Sequence, residues 1–557
     1  MSDISIFATY DSFLNNFFLH NSFLITTVIF SIFLFLLVIN FKDVSKRFSK
    51  IKKRSWLILF LIFILGFWLR NAEYTYGFHT DAFHYAESAK YLAEDDIFVR
   101  DCSIGNLENC KLYEQVLYPQ GYPYLISIFY KLFGINSLFA SAISGVLSSF
   151  TIVLIFLICY LLFENEEAGL YAALIFSLIP LDLVLAGTGN GRPTSLFFIS
   201  LTMLFYLLAL KKNTTKLWSL VAITFSYSIY VRQENSVLLI PMLLGPFLFG
   251  NYKKMQLKNL KKDLISFFKK MSIPILLFLL TQISVQYWVF FGNVGWYSGG
   301  PVFALKYFNA MVPVSIKTLF MQSIFDTPLY SPVVSLLFFG SFIFVFFKKE
   351  FRNQLIFVWI WFLTYFVLHS AFFQCPGFPE NFCYDFIRYI QHYHVPYAIL
   401  AGLSFSCLIP SKYKNKIGFL AILFIILILD SSIPVSFTLF NDMRIEKPQV
   451  QTDYFKAVNS TQNNCTILSS YYMIPTTDAL PNNNRKTINP WLIFPNAQPN
   501  TGQLSLELIS ESPCTYYFDD GSCSNIEEYP CKFIYENLTI DYLYSVGKIK
   551  VYNVSLK

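Results

Sequence analysis

The sequence is short of charge. Only 14% of its 557 residues are Asp, Glu, Lys or Arg, against about 25% in a soluble globular chain. That deficit excludes an ordinary water-exposed surface over most of the chain. Basic residues outnumber acidic ones, for a net charge of +7. They are not gathered on one soluble face, so the charge does not point to a nucleic-acid partner. Lys and Arg are absent from residues 1–21, so the basic leader of a cleavable signal peptide is not expected there. Repeats of fixed period and low-complexity tracts are also missing. The chain is instead 55% hydrophobic and 19% aromatic, with a mean hydropathy of +0.48. This is the composition of an integral membrane protein.

A helix needs about 20 mostly apolar residues to cross a bilayer. Runs of this kind lie near 22–40, 55–70, 138–163, 168–186, 194–210, 217–231, 236–250, 272–291, 332–347, 354–372, 395–410 and 417–437. They predict about twelve spans. Lys42, Lys46, Arg47, Lys50, Lys52, Lys53 and Arg54 fill the first connection, and later basic clusters include Lys211, Lys212 and Lys216. Twelve spans put all these clusters on one side, which the positive-inside rule makes cytoplasmic. Glu164, Glu166 and Glu167 break the pattern, but acidic residues weigh little in that rule. Both termini are then extracytoplasmic, as are the segments 71–137, 292–331, 373–394 and 438–557.

The cysteines agree with this topology. Cys102 and Cys110, Cys375 and Cys383, and Cys465, Cys514, Cys523 and Cys531 all fall in outward segments, in even numbers, where disulfides form. Cys159 and Cys407 lie within spans. The glycosylation sequons at Asn459, Asn464, Asn537 and Asn553 are in the tail, whereas that at Asn213 falls on the cytoplasmic side. The tail, with apolar stretches at Cys465–Tyr472 and Cys514–Phe518 and a strand-like Lys548–Val554, reads as a small α/β domain.

Chemistry-bearing residues concentrate in the first outward loop. Asp81, His84, Tyr85 and Ser88 are spaced to share one helix face. Ala82, Phe83, Ala86 and Ala89 nearby suggest a helix resting on the membrane surface. Asp81 would occupy the first turn, where the helix dipole favours an anion. Asp81 and Thr80 also read simply as helix-start residues. Further on, Tyr118-Pro-Gln-Gly-Tyr122-Pro123-Tyr precedes an amphipathic stretch that reaches Phe133-Gly134. Arg192, in the turn Gly189–Pro193, and Arg232, in Tyr230-Val-Arg-Gln-Glu234, lie at the outer ends of spans. Ionisable residues at membrane depth are functional candidates, and a guanidinium matches phosphate geometry. Snorkelling, or an internal Arg232–Glu234 pair, is the alternative. Lys306 is a third candidate cation. Arg388, His392 and His394 follow Asp385 and Glu380. His392 and His394 do not share a helix face, which speaks against a helical metal site. On a loop these groups could bind metal with Asp385 or Glu380, contact substrate, or simply belong to an interfacial belt.

The order of these features resembles the GT-C superfamily of membrane glycosyltransferases. The resemblance runs over roughly 55–250 and is carried by Asp81-x-x-x-Tyr85-x-x-x-Ala89, by Tyr118-Pro-Gln-Gly-Tyr-Pro123 before Leu-Phe-Gly134, and by the Ala-rich and Leu/Phe-rich spans from Ala168 to Leu210. It looks most like the branch with protein O-mannosyltransferases, aminoarabinose transferases and related polyprenyl-phosphate-sugar enzymes. The resemblance implies a GT-C-type α-helical transmembrane bundle over 55–437. An additional N-terminal helix and basic loop precede it over 1–54, and a small extracytoplasmic α/β domain follows over 438–557.

The implied reaction moves a single sugar, hexosyl or pentosyl, from a polyprenyl- or dolichyl-phosphate donor to a glycan, lipid or protein acceptor on the outer face. The anomeric carbon is inverted. Asp81 matches the family's first-loop carboxylate and would take the acceptor's proton. Arg232, Arg192 and Lys306 would meet the donor phosphate. His79, His84, Tyr85, Tyr118, Glu234, Arg388 and His392 would contact substrates. No metal ligand is assigned, although a divalent cation (Mg or Mn) is compatible with the family. Ala82 stands where many members carry a second acid. The turn 187–193 has no acid and the tail has no Trp-Trp-Asp motif, which ranks oligosaccharide block transfer below single-sugar transfer. A non-catalytic transporter or receptor is the other alternative, although paired repeats with broken spans are not found.

Overall fold

A computed structural model describes residues 21–71, 80–96, 119–136, 138–249, 270–283, 305–320, 331–371, 390–409, 418–429, 453–454, 456–462, 465–469, 486–488, 509–510, 512–519, 537–547 and 549–557. The helices begin with α1 (Ser22–Phe48), α2 (Lys53–Asn71), α3 (Thr80–Glu94), α4 (Gly121–Phe133), α5 (Leu138–Phe163), α6 (Glu166–Ser177), α7 (Pro180–Ala186), α8 (Gly191–Lys212) and α9 (Thr215–Val231). A 3-10 turn at Gln233–Leu238 leads into α10 (Leu239–Phe249). Then come α11 (Lys270–Ile283), α12 (Leu305–Phe320), α13 (Pro332–Phe347) and α14 (Arg352–Ala371). A second 3-10 turn, Ile390–Tyr393, opens α15 (His394–Leu408), and α16 is Phe419–Leu429.

Every apolar run read as a span contains helix over its described residues. Among the described residues five segments are long and apolar enough to cross a membrane: α1, α2, α5, α8 and Lys349–Ala371. The run at 168–186 is not one helix. Ile179 is extended, with ψ 117°, because the proline ring at Pro180 disfavours helical backbone before it, and α7 restarts at Pro180. The bundle core packs α5 on α8, α8 on α9 and α6 on α15. Large apolar side chains face outward on the outer helices, including Phe35 and Val38 on α1 and Phe60 and Trp68 on α2. Such faces suit lipid, because the hydrocarbon core offers backbone and side chains no water.

The acidic stretch that broke the loop pattern is neutralised by its neighbours. Arg47 Nη2 lies 2.5 Å from Glu164 Oε1, and Lys211 Nζ lies 3.4 Å from the same oxygen. Ser55 Oγ donates to Glu166 Oε2, and Lys212 pairs with Asp43 at 2.8 Å. These contacts gather the connections after α1, α5 and α8 on one face of the bundle. Asn213, in the sequon on that side, has a structural task. It caps α8 in the left-handed region at φ 49° and accepts a hydrogen bond from Trp218 Nε1.

Helix α3 forms where the spacing places it, but it does not rest on lipid along its small-residue face. Ala82, Ala86 and Ala89 are fully buried, and α3 packs on α4, α5 and α8. Small side chains let helix backbones approach closely in a membrane protein.

The C-terminal segment carries β1 (Thr466–Ser469), β2 (Lys486–Ile488), β3 (Thr515–Asp519), β4 (Leu538–Val546) and β5 (Ile549–Leu556), in sheet order β2-β1-β3-β5-β4. β1 runs parallel to β2 and β3, and β5 runs antiparallel to β3 and β4. Tyr454, Val458, Ile467, Phe518 and Val551 form its core. Cys465 and Cys514 form a disulfide, and Cys159 is a buried thiol within α5. Cys102, Cys110, Cys375, Cys383, Cys523, Cys531 and Asn464 lie outside the described residues.

Candidate active site

The site is built on the start of α8. Asn190 adopts an extended backbone and its side chain accepts from Arg192 N at 3.0 Å, which caps the helix. Gly191 follows. A Cβ there would stand 3.0 Å from Tyr85 Cζ and 3.1 Å from Tyr122 Cδ1, so the rings of α3 and α4 close tightly over this helix end and a larger residue would push them back. Tyr85 and Tyr122 meet edge to face, with centroids 5.0 Å apart, and Tyr122 donates to Ala140 O at 2.6 Å. A Cβ at Gly189 would be 3.5 Å from Ala82 Cβ. The backbone at Asp81, the second residue of α3 and one turn before Tyr85, therefore adjoins the 187–193 turn.

Two buried arginines lie at this corner. Arg192 is in the first turn of α8, rather than in the preceding turn, and is 1% exposed. Arg232 ends α9 in extended conformation and is 4% exposed. Its Nε donates to Glu234 Oε1 at 2.5 Å, and its Nη1 donates to the Tyr85 hydroxyl at 3.0 Å. The internal Arg232–Glu234 pair is thus present. Burial alone would raise the Glu234 pKa, but Arg232, then His392 and Arg192, hold it well below the usual carboxylate range. Glu234 is a carboxylate among cations.

A polar chain backs this corner. Asn235 Nδ2 donates to Ser228 O at 2.7 Å and to Ser195 Oγ at 2.8 Å. Ser195 Oγ lies 3.4 Å from His392 Nε2. His392 stacks on Tyr365 at 5.3 Å, and His369 lies 5.0 Å from His392 between ring centroids. Among the described residues no group of three or more His, Cys, Asp or Glu is arranged to hold a metal ion. The corner's described character is cationic and aromatic, which suits a phosphate bearing an organic group.

A family model described as dolichyl-phosphate-mannose-protein mannosyltransferase matches residues 118–276. Solved structures match far more of the chain. ArnT from Cupriavidus metallidurans in the apo state aligns at TM-score 0.59 and 12% identity, over 90% of this chain and 98% of that one. The same protein bound to undecaprenyl phosphate aligns at TM-score 0.54 and 12% identity, over the same shares of 90% and 98%. The chain has the GT-C fold. An Archaeoglobus fulgidus oligosaccharyltransferase, tethered to an acceptor peptide containing a sequon, aligns at TM-score 0.53 and 11% identity over 92% of this chain and 74% of that one. No curated protein matches the sequence.

Within this GT-C bundle, Tyr85, Arg192, Arg232, Glu234 and His392 come together, and Asp81 and His84 belong to α3, the helix that carries Tyr85. Lys306 begins α12, which packs on α13 and α14. His79, Tyr118, Glu380, Asp385 and Arg388 lie outside the described residues. His392 and His394 part company, the first turning to Ser195 and the second to Asp182. Asp182 and His369 are not among the residues singled out from the sequence, although both are ionisable residues within apolar runs, as the arginines are, and Tyr122 of the Tyr-Pro motif gains a defined contact.

Proposed function

We propose that this chain is a membrane glycosyltransferase that moves one sugar from a polyprenyl-phosphate donor to an acceptor on the outer face, with 55–437 as its catalytic module. The observation that carries the reading is the hydrogen bond from Arg232 to Tyr85. It ties the helix bearing Asp81 to a buried cation pair. The ArnT structure with bound undecaprenyl phosphate and the dolichyl-phosphate-mannose family model support a lipid-phosphate donor. The match to 98% of ArnT, against 74% of the oligosaccharyltransferase, favours single-sugar over block transfer. In the twelve-span reading of the apolar runs and basic clusters, α3 and the tail lie outside.

In this reading the acceptor oxygen attacks the anomeric carbon from the face opposite the phosphate. The bond from that carbon to the phosphate oxygen breaks and the configuration inverts. Asp81 takes the acceptor's proton. The departing lipid phosphate carries the electron pair and needs little protonation, but its growing charge must be met. Arg192 and Arg232 supply fixed positive charge in a site shielded from water, where such charge acts most strongly. Glu234 holds Arg232 in place.

Replacing Asp81 by Asn tests this. A positioned general base contributes about 10²–10⁴ in rate, so turnover should fall by that factor while lipid-phosphate binding persists. Unchanged turnover rejects the role of Asp81. Absence of turnover in the wild type with every polyprenyl-phosphate sugar tried favours a non-catalytic protein.

A further inference from the structure

Behind the arginine corner is a second buried polar cluster that the reaction does not use. Asp182, on α7, is fully buried. Its Oδ1 accepts from Gln391 Nε2 at 2.5 Å, and its Oδ2 lies 2.6 Å from His394 Nδ1. A carboxylate at that distance requires an N–H on the ring nitrogen, so His394 donates. Gln391 and His394 are 1% and 0% exposed. The Gln391 carbonyl oxygen has no hydrogen-bond partner among the described residues, so the amide is turned to Asp182 through its NH2 group. On the far side lies Arg70, fully buried, whose guanidinium donates to Phe176 O and Ser177 O at 2.9 Å each and feels the charge of Asp182.

The two groups that Asp182 grips stand on either side of His392 in the chain. Successive residues of a 3-10 turn point about 120° apart, so Gln391 and His392 cannot face the same way. Gln391 is committed to Asp182 and His392 to Ser195, Tyr365 and His369. His394 then opens α15, which packs on α6, the helix just before α7. Asp182 lies in the first turn of α7, which starts afresh at Pro180.

We propose that Asp182 is a positioning residue that clamps Gln391 and His394 and so fixes His392 against Ser195, beside the Arg232–Glu234 pair. The role rests on the phosphate-site reading above only for its functional consequence, since the clamp itself is a matter of geometry. Asp182 acts through His392 and touches no substrate.

The test uses the full chain in nanodiscs with undecaprenyl phosphate as the probe, together with amide hydrogen exchange. Asp182→Ala should weaken binding of the probe at least tenfold and speed exchange at residues 390–394 at least tenfold. Exchange at Thr466–Ser469 should not change. Asp182→Asn keeps one acceptor for the His394 N–H, and a turned Gln391 amide can accept from the new NH2 through its carbonyl oxygen, so this variant should restore binding to within threefold of the wild type. Asp182→Ala should add nothing to His392→Ala, because both remove the same placement. Additive losses, or unchanged exchange at 390–394, overturn the proposal. Should the alanine variant not fold, Gln391→Met removes one arm at similar volume and must speed exchange at 390–394, or the clamp is rejected. If the wild type does not bind the probe, the phosphate-site reading fails, and the exchange measurement decides the clamp by itself.

Discussion

Removing the Tyr85 hydroxyl is the sharpest test of the site. Tyr85→Phe deletes one acceptor of Arg232, at 3.0 Å, between side chains that are 1% and 4% exposed. A buried hydrogen bond to a charged group is worth about 1.5–3 kcal/mol when one partner is lost. Arg232 keeps its 2.5 Å bond to Glu234, so the guanidinium is not left without a counter-charge and the lower end, about 1.5 kcal/mol, applies. That corresponds to about a tenfold loss in kcat/KM for the lipid-phosphate donor. Tyr122→Phe is the matched control. It deletes a comparable buried bond, to Ala140 O, from the partner ring of the same edge-to-face pair, without touching Arg232. Both variants should lower the unfolding temperature similarly, read by intrinsic fluorescence in detergent. Only Tyr85→Phe should lose about tenfold in initial rate of sugar transfer, because only it unties α3 from the cation. Equal rate losses in the two variants, or a Tyr85→Phe rate within twofold of wild type, would refute the tie.

Glu234 and Gly402 give two further expectations. Glu234→Gln should cost about 3 kcal/mol, the low end for a buried cation that loses its ionic partner, since the amide still accepts a hydrogen bond. The folded-state pKa of Glu234 is depressed below its unfolded value of about 4.3, so the pair's contribution is present above that value and is lost only as pH falls toward the depressed one. The stability gap between Glu234→Gln and wild type should therefore hold constant from pH 8 to pH 5, and a gap that closes over this range contradicts the assignment. A Cβ at residue 402 would lie 2.5 Å from the backbone nitrogen of Ala172, so Gly402→Ala should force α15 off α6 and cost about 1–3 kcal/mol, seen as a lower unfolding temperature. An unchanged unfolding temperature would mean the two helices are less closely seated.

The helices were legible because apolar length is a direct record of what lipid requires, and the basic clusters recorded which connections share a face. The apolar run continues to 186, but Pro180 marks the end of its Ala-rich part, and the helix does break there. Asp182 was hidden, because a single acid in such a run barely changes its average. The alanines of α3 fit a lipid-facing surface as well as a buried one, because a small apolar side chain satisfies lipid and protein alike. Only the three-dimensional neighbours, such as Gly189 beside Ala82, decide between the two. Tyr85 and Arg232 were each named from the sequence, but 147 positions separate them. No local pattern announces a hydrogen bond of that reach. The tail sheet was partly visible in its alternating stretches, while the parallel pairing of β1 with β2 and β3 depends on contacts no local stretch contains.

Helix α1 is fastened at its two ends by forces of different kinds. At the basic end it is held by ion pairs, Lys212 with Asp43 and Arg47 with Glu164, between side chains that remain partly in solvent. At the other end Phe23 and Phe30 pack on Tyr124 of α4, and Tyr124 also bonds to Thr27 Oγ1 at 3.0 Å. Added salt weakens the first kind of contact and leaves the second nearly untouched. Raising the ionic strength therefore loosens α1 at the end remote from the arginine corner, where Phe48 against Tyr160 and Asn40 on Lys216 O remain as its fastening. The α4 backbone that roofs that corner stays seated.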